Sequence, residues 1–157
     1  MRIHLFTTDV SCFSLVDQLI VDEVIALIIP SNRVNSSKIK ILQEEAERRK
    51  LPVSIHQRGQ QVDASLPKVD AAISWLYSQI IVESDLIRYP GGIFNMHGGV
   101  IPDYRGASVL QWAIINGEDE LGITWHELVE EVDAGPIWAE SRIPIAPYAT
   151  ALDVRGE

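Results

Sequence analysis

Short apolar runs alternate along the first two thirds of the chain with stretches whose apolar residues recur at helical spacing. Ile39, Leu42 and Ala46 lie on one face of such a helix, and Ser36 or Ser37 can cap its start. An uninterrupted apolar run is instead typical of a strand buried in a parallel sheet. The pattern predicts strands at residues 3–6, 23–29, 52–56, 69–74 and 93–96, and helices at 11–20, 36–50, 79–87 and 107–116.

The last third of the chain has a different pattern. Two extended runs, at residues 122–128 and 136–143, flank the acidic linker 129–135, which predicts a β-hairpin with a wide loop. The earlier alternation of strands and helices predicts βαβ units with right-handed crossovers. We therefore expect an α/β fold: a Rossmann-like three-layer sandwich with a mostly parallel sheet and a C-terminal β-hairpin. The length of 157 residues fits one domain.

The net charge of −9 narrows the classes of partner. A strongly acidic domain is a poor match for nucleic acid or an anionic membrane surface, because both need Lys and Arg at the interface. The longest apolar run, Val24–Pro30, is far shorter than the roughly 20 residues that cross a bilayer. We expect no signal peptide, and the single cysteine, Cys12, excludes an internal disulfide. These features predict a cytoplasmic protein with no membrane partner.

The first candidates for chemistry are Asn95 and His97, at the carboxyl end of the fifth predicted strand. Residues i and i+2 of a strand face the same side, and ligands of open α/β sheets bind at the carboxyl ends of the strands. An amide beside an imidazole can donate hydrogen bonds to a developing oxyanion, and imidazole can also move a proton near neutral pH. The structural alternative is an Asn and a His that close a turn before Gly98 and Gly99.

The acidic linker contains another candidate, Asp133. Burial and neighbouring carboxylates would raise its pKa, whereas a nearby imidazolium would lower it; the alternative is a solvated acidic loop. A third candidate is the loop 102–107 before a predicted helix, for which the alternative is a turn with an exposed Arg105. The four histidines have no metal-ligand spacing, so we expect no metal site. The first loop, Thr7–Ser11, has no glycine and therefore no dinucleotide fingerprint.

Several segments between Tyr77 and Ile137 resemble the motifs of one enzyme family, and they occur in the family's order. The segments are 77–81, 93–97, 101–107, 112–114, 116–118, 122–124 with His126, and 133–137. Through them the chain resembles the formyltransferases that use 10-formyltetrahydrofolate. Several spaced motifs are far more specific than any one of them.

The resemblance implies a Rossmann-like catalytic domain with Asn95, His97 and Asp133 as catalytic residues. In that site, Asn95 and His97 hold the oxyanion, and Asp133 orients and charges His97. The implied cosubstrate is 10-formyltetrahydrofolate, the formyl donor. One segment lines its pterin pocket largely through backbone groups, and the Asp133 loop closes the other side. The implied cofactor-binding residues are Tyr77, Ser78, Gln79, Ile80, Ile81 and Val132.

The sequence departs from the family pattern in ways that bear on the acceptor. Gly98-Gly99 replaces the usual Pro-Ser, Ser78 stands where glycine is frequent, and Val82 stands where proline is frequent. The glycinamide-ribonucleotide branch uses a Gly-rich first loop for the substrate phosphate, so the loop of this chain makes that acceptor a poor fit. Residues 150–157 resemble the start of a helix that family members continue. We expect residues 1–157 to form a formyltransferase catalytic domain, either a short form or one truncated at its C-terminus.

The resemblance leaves three functions open. The first is formyl transfer to a primary amine of a small acceptor, such as an amino-sugar nucleotide, with a formyltetrahydrofolate hydrolase as a variant. The second is methionyl-tRNA formyltransferase, although the negative charge and the short loop at 31–37 argue against tRNA as a partner of this chain alone. The third is a folate-binding remnant without full activity. A homodimer is left open.

Overall fold

The computed structural model describes residues 1–19 and 23–155, and its Cα positions form two compact units, Met1–Phe94 and Asn95–Glu157. The elements of the first unit are β1 (Ile3–Thr7), α1 (Cys12–Val16), β2 (Val24–Pro30), a 3-10 turn (Ser31–Arg33), α2 (Ser37–Arg48), β3 (Val53–His56), β4 (Ala71–Trp75) and α3 (Glu83–Leu86). Its strands pair in parallel in the order β3-β2-β1-β4. The predicted parallel arrangement is confirmed for these strands.

The second unit holds the C-terminal hairpin. The remaining elements are β5 (Ile93–His97), whose last three residues belong to this unit, α4 (Val109–Ile115), β6 (Glu120–Glu127), β7 (Ile137–Pro144) and α5 (Ala151–Arg155). Strands β6 and β7 are antiparallel, with Glu120 opposite Pro144 and His126 opposite Ile137. The predicted Rossmann-like α/β class with a C-terminal hairpin is confirmed. Over the described ranges, every helix is too short or too polar to traverse a bilayer.

Buried strands and one face of α2 build the core of the first unit. All five residues of β1 are buried, and Leu27 and Ile29 of β2 share a hydrophobic cluster with Ile39 and Leu42 of α2. The hydroxyl of Ser36 accepts a hydrogen bond from the Ile39 N–H at 3.2 Å, which satisfies one of the free donors at the helix start. The predicted cap and apolar face of this helix are therefore confirmed.

Two predicted helices of the first unit are shorter than expected. Helix α1 ends at Val16, whereas the prediction extended to Ile20, which lies outside the described residues. Helix α3 is a single turn instead of spanning 79–87. Ile80 and Ile87 are 70% and 82% exposed, so this segment has no continuous apolar face whose burial would stabilise a longer helix.

Helix α4 begins at Val109, two residues later than predicted. Gly106 and Ser108 have φ values of +84° and +60°, which belong to the left-handed region and interrupt a right-handed helix. The helix then packs Leu110 and Ala113 against Leu121 of β6 to form the hydrophobic cluster of the second unit. The loop before α4 therefore stays irregular, and its backbone groups are available to neighbouring side chains.

Strand β7 is the terminal strand of the order β5-β6-β7, and all eight of its residues are exposed. It carries Ile137 and Trp138, which are 48% and 64% exposed. Glu140 and Arg142 follow on the same strand, and the Arg142 Nε donates to Glu140 Oε1 at 3.0 Å. This edge thus combines large apolar side chains with an ion pair.

The buried His4 on β1 predicts a loss of stability in mild acid. Burial, helped by the positive charges of Arg88 and Arg2, lowers the pKa of His4 to about 4. The unfolded chain takes up this proton near pH 6.5, but the folded chain does so only near pH 4. Lowering the pH between these values should therefore reduce the free energy of unfolding, by about 3 kcal/mol in total from this residue.

Chemical denaturation between pH 7 and pH 4, for the wild-type protein and for His4→Phe and His4→Gln, measures this contribution. The variants should lose the part of the pH dependence that belongs to His4, while the carboxylates keep theirs. Equal slopes of stability against pH in all three proteins would contradict the prediction.

Candidate active site

His97 ends β5 and is buried, and Asn95 precedes it by two residues on the same side of the strand. The His97 Nε2 lies 2.6 Å from the backbone carbonyl oxygen of Tyr104. A carbonyl only accepts, so Nε2 carries a hydrogen and donates it. The other ring nitrogen, Nδ1, faces the Oδ2 of Asp133 at 3.6 Å. The Tyr104 carbonyl thus fixes the ring and leaves Nδ1 on the side of the carboxylate.

The backbone around Asp133 is in an unusual conformation. Its φ of +50° lies in the left-handed region, which Asp and Asn tolerate better than most residues. Its Oδ2 accepts the backbone N–H of Gly106 at 2.8 Å. A Cβ at Gly135 would lie 1.8 Å from the carbonyl oxygen of Glu127, so only glycine allows the loop to pass this close to β6. The carboxylate is therefore positioned by both ends of its own loop and by the loop before α4.

Asp133 is ionised at neutral pH in this environment. Burial alone would raise its pKa, but hydrogen bonds from His126 and from the Gly106 N–H, together with the nearby His97, outweigh burial and hold the pKa of Asp133 below its usual value. The site therefore places a buried negative charge beside two imidazole rings.

A further histidine, His126 on β6, joins this cluster and is fully buried. Its Nδ1 lies 3.0 Å from the Glu127 carbonyl oxygen and must donate to it. Its Nε2 lies 3.1 Å from the Asn95 Nδ2 and 3.4 Å from the Asp133 Oδ1. The neutral ring accepts from Asn95, whereas the charged ring donates to Asp133. The His126 ring therefore lies between the amide of Asn95 and the carboxylate of Asp133.

The sequence analysis did not include His126 among the site residues, although a signal was present. On β6, Gly122, Thr124 and His126 alternate on the buried face of the strand. A buried face with Thr and His is unusual, because buried polar groups need partners. Thr124 has its own partner, since its hydroxyl donates to the Gly99 carbonyl at 2.6 Å. Metal-ligand spacing is a different pattern and does not reveal a polar face of this kind.

The predicted catalytic residues Asn95, His97 and Asp133 thus come together in the second unit, around His126. Val132 lies in the same unit, beside Asp133, and is 55% exposed. The other predicted cofactor-binding residues, Tyr77, Ser78, Gln79, Ile80 and Ile81, follow β4 in the first unit.

The segment 77–81 has free backbone groups. It forms no helix or strand, and among residues 1–19 and 23–155 no backbone–backbone hydrogen bond involves it. The side-chain Nε2 of Gln79 donates to the His56 carbonyl at 3.3 Å. The Oε1 of Gln79 is buried and finds no hydrogen-bond partner within the described residues. Such a segment has unused donors and acceptors for a polar ligand.

Comparison with known proteins identifies the family of this chain. The profile of the formyl transferase family matches residues 20–156, and the chain belongs to this family. Glycinamide ribonucleotide transformylase 1 from Symbiobacterium toebii is 18% identical, with a TM-score of 0.78 over 99% of this chain and 79% of that chain. A formyltetrahydrofolate deformylase from Pseudomonas syringae pv. tomato is 19% identical, with a TM-score of 0.77 over 99% of this chain and 55% of that chain.

A third similar structure is WlaRD, a sugar 3N-formyl transferase determined in the presence of dTDP and 5-N-formyl-THF. It is 20% identical, with a TM-score of 0.68 over 93% of this chain and 53% of that chain. At these identities the structural matches establish the fold. Family membership confirms the prediction of an enzyme that transfers formyl groups, and the predicted donor, 10-formyltetrahydrofolate, agrees with the folate present in the WlaRD structure.

Proposed function

We propose that this protein transfers the formyl group of 10-formyltetrahydrofolate to a primary amine of a small acceptor, such as an amino-sugar nucleotide. Asn95, His97 and Asp133 are the proposed catalytic residues. The observation that carries the proposal is their convergence around His126, with the ionised Asp133 beside both imidazoles. Because two rings share one carboxylate and one of these rings also contacts the Asn95 amide, the cluster offers hydrogen-bond donors and a proton-accepting group close together.

Attack of an amine on a formyl carbon develops negative charge on the formyl oxygen. Donors that are already in place stabilise such a charge without reorganisation. One N–H of Asn95 is directed to the His126 Nε2, and its second N–H serves the oxyanion. The His97 Nε2–H already donates to the Tyr104 carbonyl oxygen. In the charged ring, Nδ1–H is therefore the group that donates to the oxyanion.

The attacking amine must also lose a proton. Asp133 is the base for this step, because its low pKa keeps it ionised and its carboxylate lies beside the oxyanion donors. It accepts the proton directly or through a water molecule and returns it to the folate nitrogen when tetrahydrofolate leaves. Before it takes the proton, the carboxylate orients the neighbouring imidazole, which is the role of the third group in catalytic triads.

The segment 77–81 suits a folate ring system. A pterin has several N–H and C=O groups in one plane, and the free backbone groups of this segment are matching partners. The unpartnered Oε1 of Gln79 is a further acceptor beside them. Val132, exposed next to Asp133, supplies an apolar contact from the Asp133 loop. These features support the assignment of both segments to the donor.

Isothermal calorimetry tests the donor site directly. We expect 5-formyltetrahydrofolate to bind with an affinity that a chelator does not change. Among the described residues, no group of three or more His, Cys, Asp and Glu could hold a metal ion. No binding at millimolar ligand would contradict the folate site, and binding abolished by the chelator would show that a metal is needed.

The first loop supports an acceptor that is not bound through a phosphate at this position. The Asp9 Oδ1 accepts the Ser11 N–H at 2.9 Å, and the Asp9 N–H donates to the Thr7 hydroxyl at 3.1 Å. A phosphate needs free N–H groups and no competing carboxylate. This loop therefore argues against glycinamide ribonucleotide, although transformylases of that name share the fold.

Charge argues in the same way against tRNA. Strongly salt-dependent nucleic-acid binders make about 6–10 phosphate contacts. The net charge here is −9, and the basic residues among the ten that directly follow β2 are Arg33, Lys38 and Lys40. A small folate and a small amine are thus the proposed partners, and the cytoplasm is the proposed compartment, where the single, buried Cys12 stays reduced.

A parallel assay of acceptors at about 0.15 M salt separates the alternatives. With 10-formyltetrahydrofolate present, we expect turnover of an amino-sugar nucleotide and none of charged initiator tRNA. Turnover of the tRNA alone would identify a methionyl-tRNA formyltransferase, and release of formate without any amine would identify a hydrolase. Folate binding without turnover of any of these would identify a remnant.

A further inference from the structure

His56, the last residue of β3, is a fully buried histidine outside the catalytic cluster, and both of its ring nitrogens have partners. Its Nε2 lies 2.8 Å from the Gln60 carbonyl oxygen and therefore donates to it. In the neutral ring Nδ1 is then an acceptor, and the Tyr77 hydroxyl lies 2.6 Å away and donates to it. The two rings also stack, with centroids 6.1 Å apart and planes inclined by 12°.

The loop and helix that flank His56 keep this ring in place. The carboxylate of Asp85 accepts the Val62 N–H at 3.0 Å and 3.2 Å, and its Oδ2 lies 3.6 Å from the His56 Nε2. Burial raises the pKa of Asp85 and also that of the Tyr77 hydroxyl, so Tyr77 remains a neutral donor. Contacts with Gln60, Tyr77 and Asp85 together fix the orientation of the His56 ring.

His56 also binds the same segment through its backbone, because its carbonyl oxygen accepts the Gln79 Nε2. One buried residue thus bonds two side chains of the segment 77–81. The segment has no backbone–backbone hydrogen bond within the described parts of the chain. Its position must then depend strongly on these side-chain contacts.

We infer that His56 is a positioning residue for the formyl donor: it anchors the segment 77–81 through the Tyr77 hydroxyl and the Gln79 carboxamide. The inference rests on the proposed assignment of this segment to the folate. In this role His56 has no contact with the reacting atoms. His56 determines the position of the backbone groups of 77–81. It therefore affects the affinity for the donor and does not affect the rate of the chemical step.

Tyr77→Phe in the full chain tests this role, because it removes one hydroxyl and keeps the stacked ring. We expect Kd for 5-formyltetrahydrofolate and KM for 10-formyltetrahydrofolate to rise roughly three- to tenfold, the range for one lost hydrogen bond. The kcat at saturating donor should change less than about twofold, because no group of the catalytic cluster is altered. A general loss of structure would instead lower kcat as well.

Tyr89→Phe is the matched control. The Tyr89 hydroxyl lies 3.0 Å from the Nδ1 of another buried histidine, His4, and its ring contacts Phe6 edge-on, as the ring of Tyr77 does. This variant loses the same group from the same kind of pair, but the hydroxyl that it removes bonds His4 and not His56. We expect it to change the melting temperature without changing Kd or KM for the folate.

The double variant with His56→Phe separates anchoring from direct contact of Tyr77 with the folate. If the hydroxyl acts through His56, Tyr77→Phe has no further effect on Kd in the His56→Phe background. A full additional effect there, unchanged binding in Tyr77→Phe, or equal weakening in Tyr77→Phe and Tyr89→Phe would each overturn the inference while folate binding stands. Failure of the wild-type protein to bind folate would overturn the proposed function and this inference together.

Discussion

Replacing Asp133 with asparagine is expected to lower kcat about 10³- to 10⁴-fold, the loss typical when the carboxylate behind a catalytic histidine becomes an amide. The amide has the same shape, and asparagine tolerates the left-handed backbone that this position requires. It removes the negative charge beside His97 and His126, and it removes the proposed base for the amine proton. The folate affinity should change little, since the loop conformation is retained.

Single-turnover measurements at saturating donor and acceptor give this loss directly. Glu131→Gln is the matched control, because Glu131 lies in the same loop and bears an exposed carboxylate that pairs with Arg105 at 3.2 Å. An exposed pair of this kind contributes little, so this variant should keep kcat within about twofold. More than a tenth of wild-type activity in Asp133→Asn would contradict the proposed role of Asp133.

Replacing Asn95 with alanine is expected to lower kcat about 10²- to 10³-fold, the usual loss for one oxyanion donor. The reason is that one N–H of Asn95 is proposed to stabilise charge that exists only in the transition state, so KM should stay nearly constant. The variant also removes the partner of the His126 Nε2.

Steady-state kinetics across pH 6 to 9 check both effects. Met96→Leu, on the opposite side of β5, conserves the volume of the side chain and should leave kcat and the pH profile unchanged. If Asn95→Ala raises KM and leaves kcat intact, Asn95 binds the ground state and the oxyanion role is wrong.

Much of the fold was predictable from the sequence because its strands and its longest helix follow simple patterns. Strands β1 to β5 were each predicted to within about two residues, since their apolar runs are bounded by polar breaks. Helix α2 has both a cap and an apolar face. Helices α1, α3 and α4 were predicted too long. Their limits depend on left-handed residues such as Ser108 and on exposed positions such as Ile80, which periodicity does not reveal.

The candidate site was partly predictable for a similar reason. Asn95 and His97 share a strand face by simple alternation. The position of Asp133 in a loop followed from the acidic linker between two extended runs, and its proposed catalytic role followed from the resemblance to the family. The participation of His126 depends on which residues β6 brings beside β5, which is a property of strand register. The φ of Asp133 and the Tyr104 carbonyl that fixes His97 depend on backbone geometry, which leaves no mark in the side-chain pattern.

Within the part of the chain that the structure describes, no strand pairs with the outer edge of β7, and this bears on the protein at high concentration. A row of open backbone donors and acceptors beside Ile137 and Trp138 is a template on which another extended chain can add a strand. Glu140 and Arg142 place charge of both signs on that template, and Pro144 removes a donor at its end. We expect these three residues to oppose the addition of another strand and hence aggregation. Changes made to improve expression or crystallisation should therefore leave them in place.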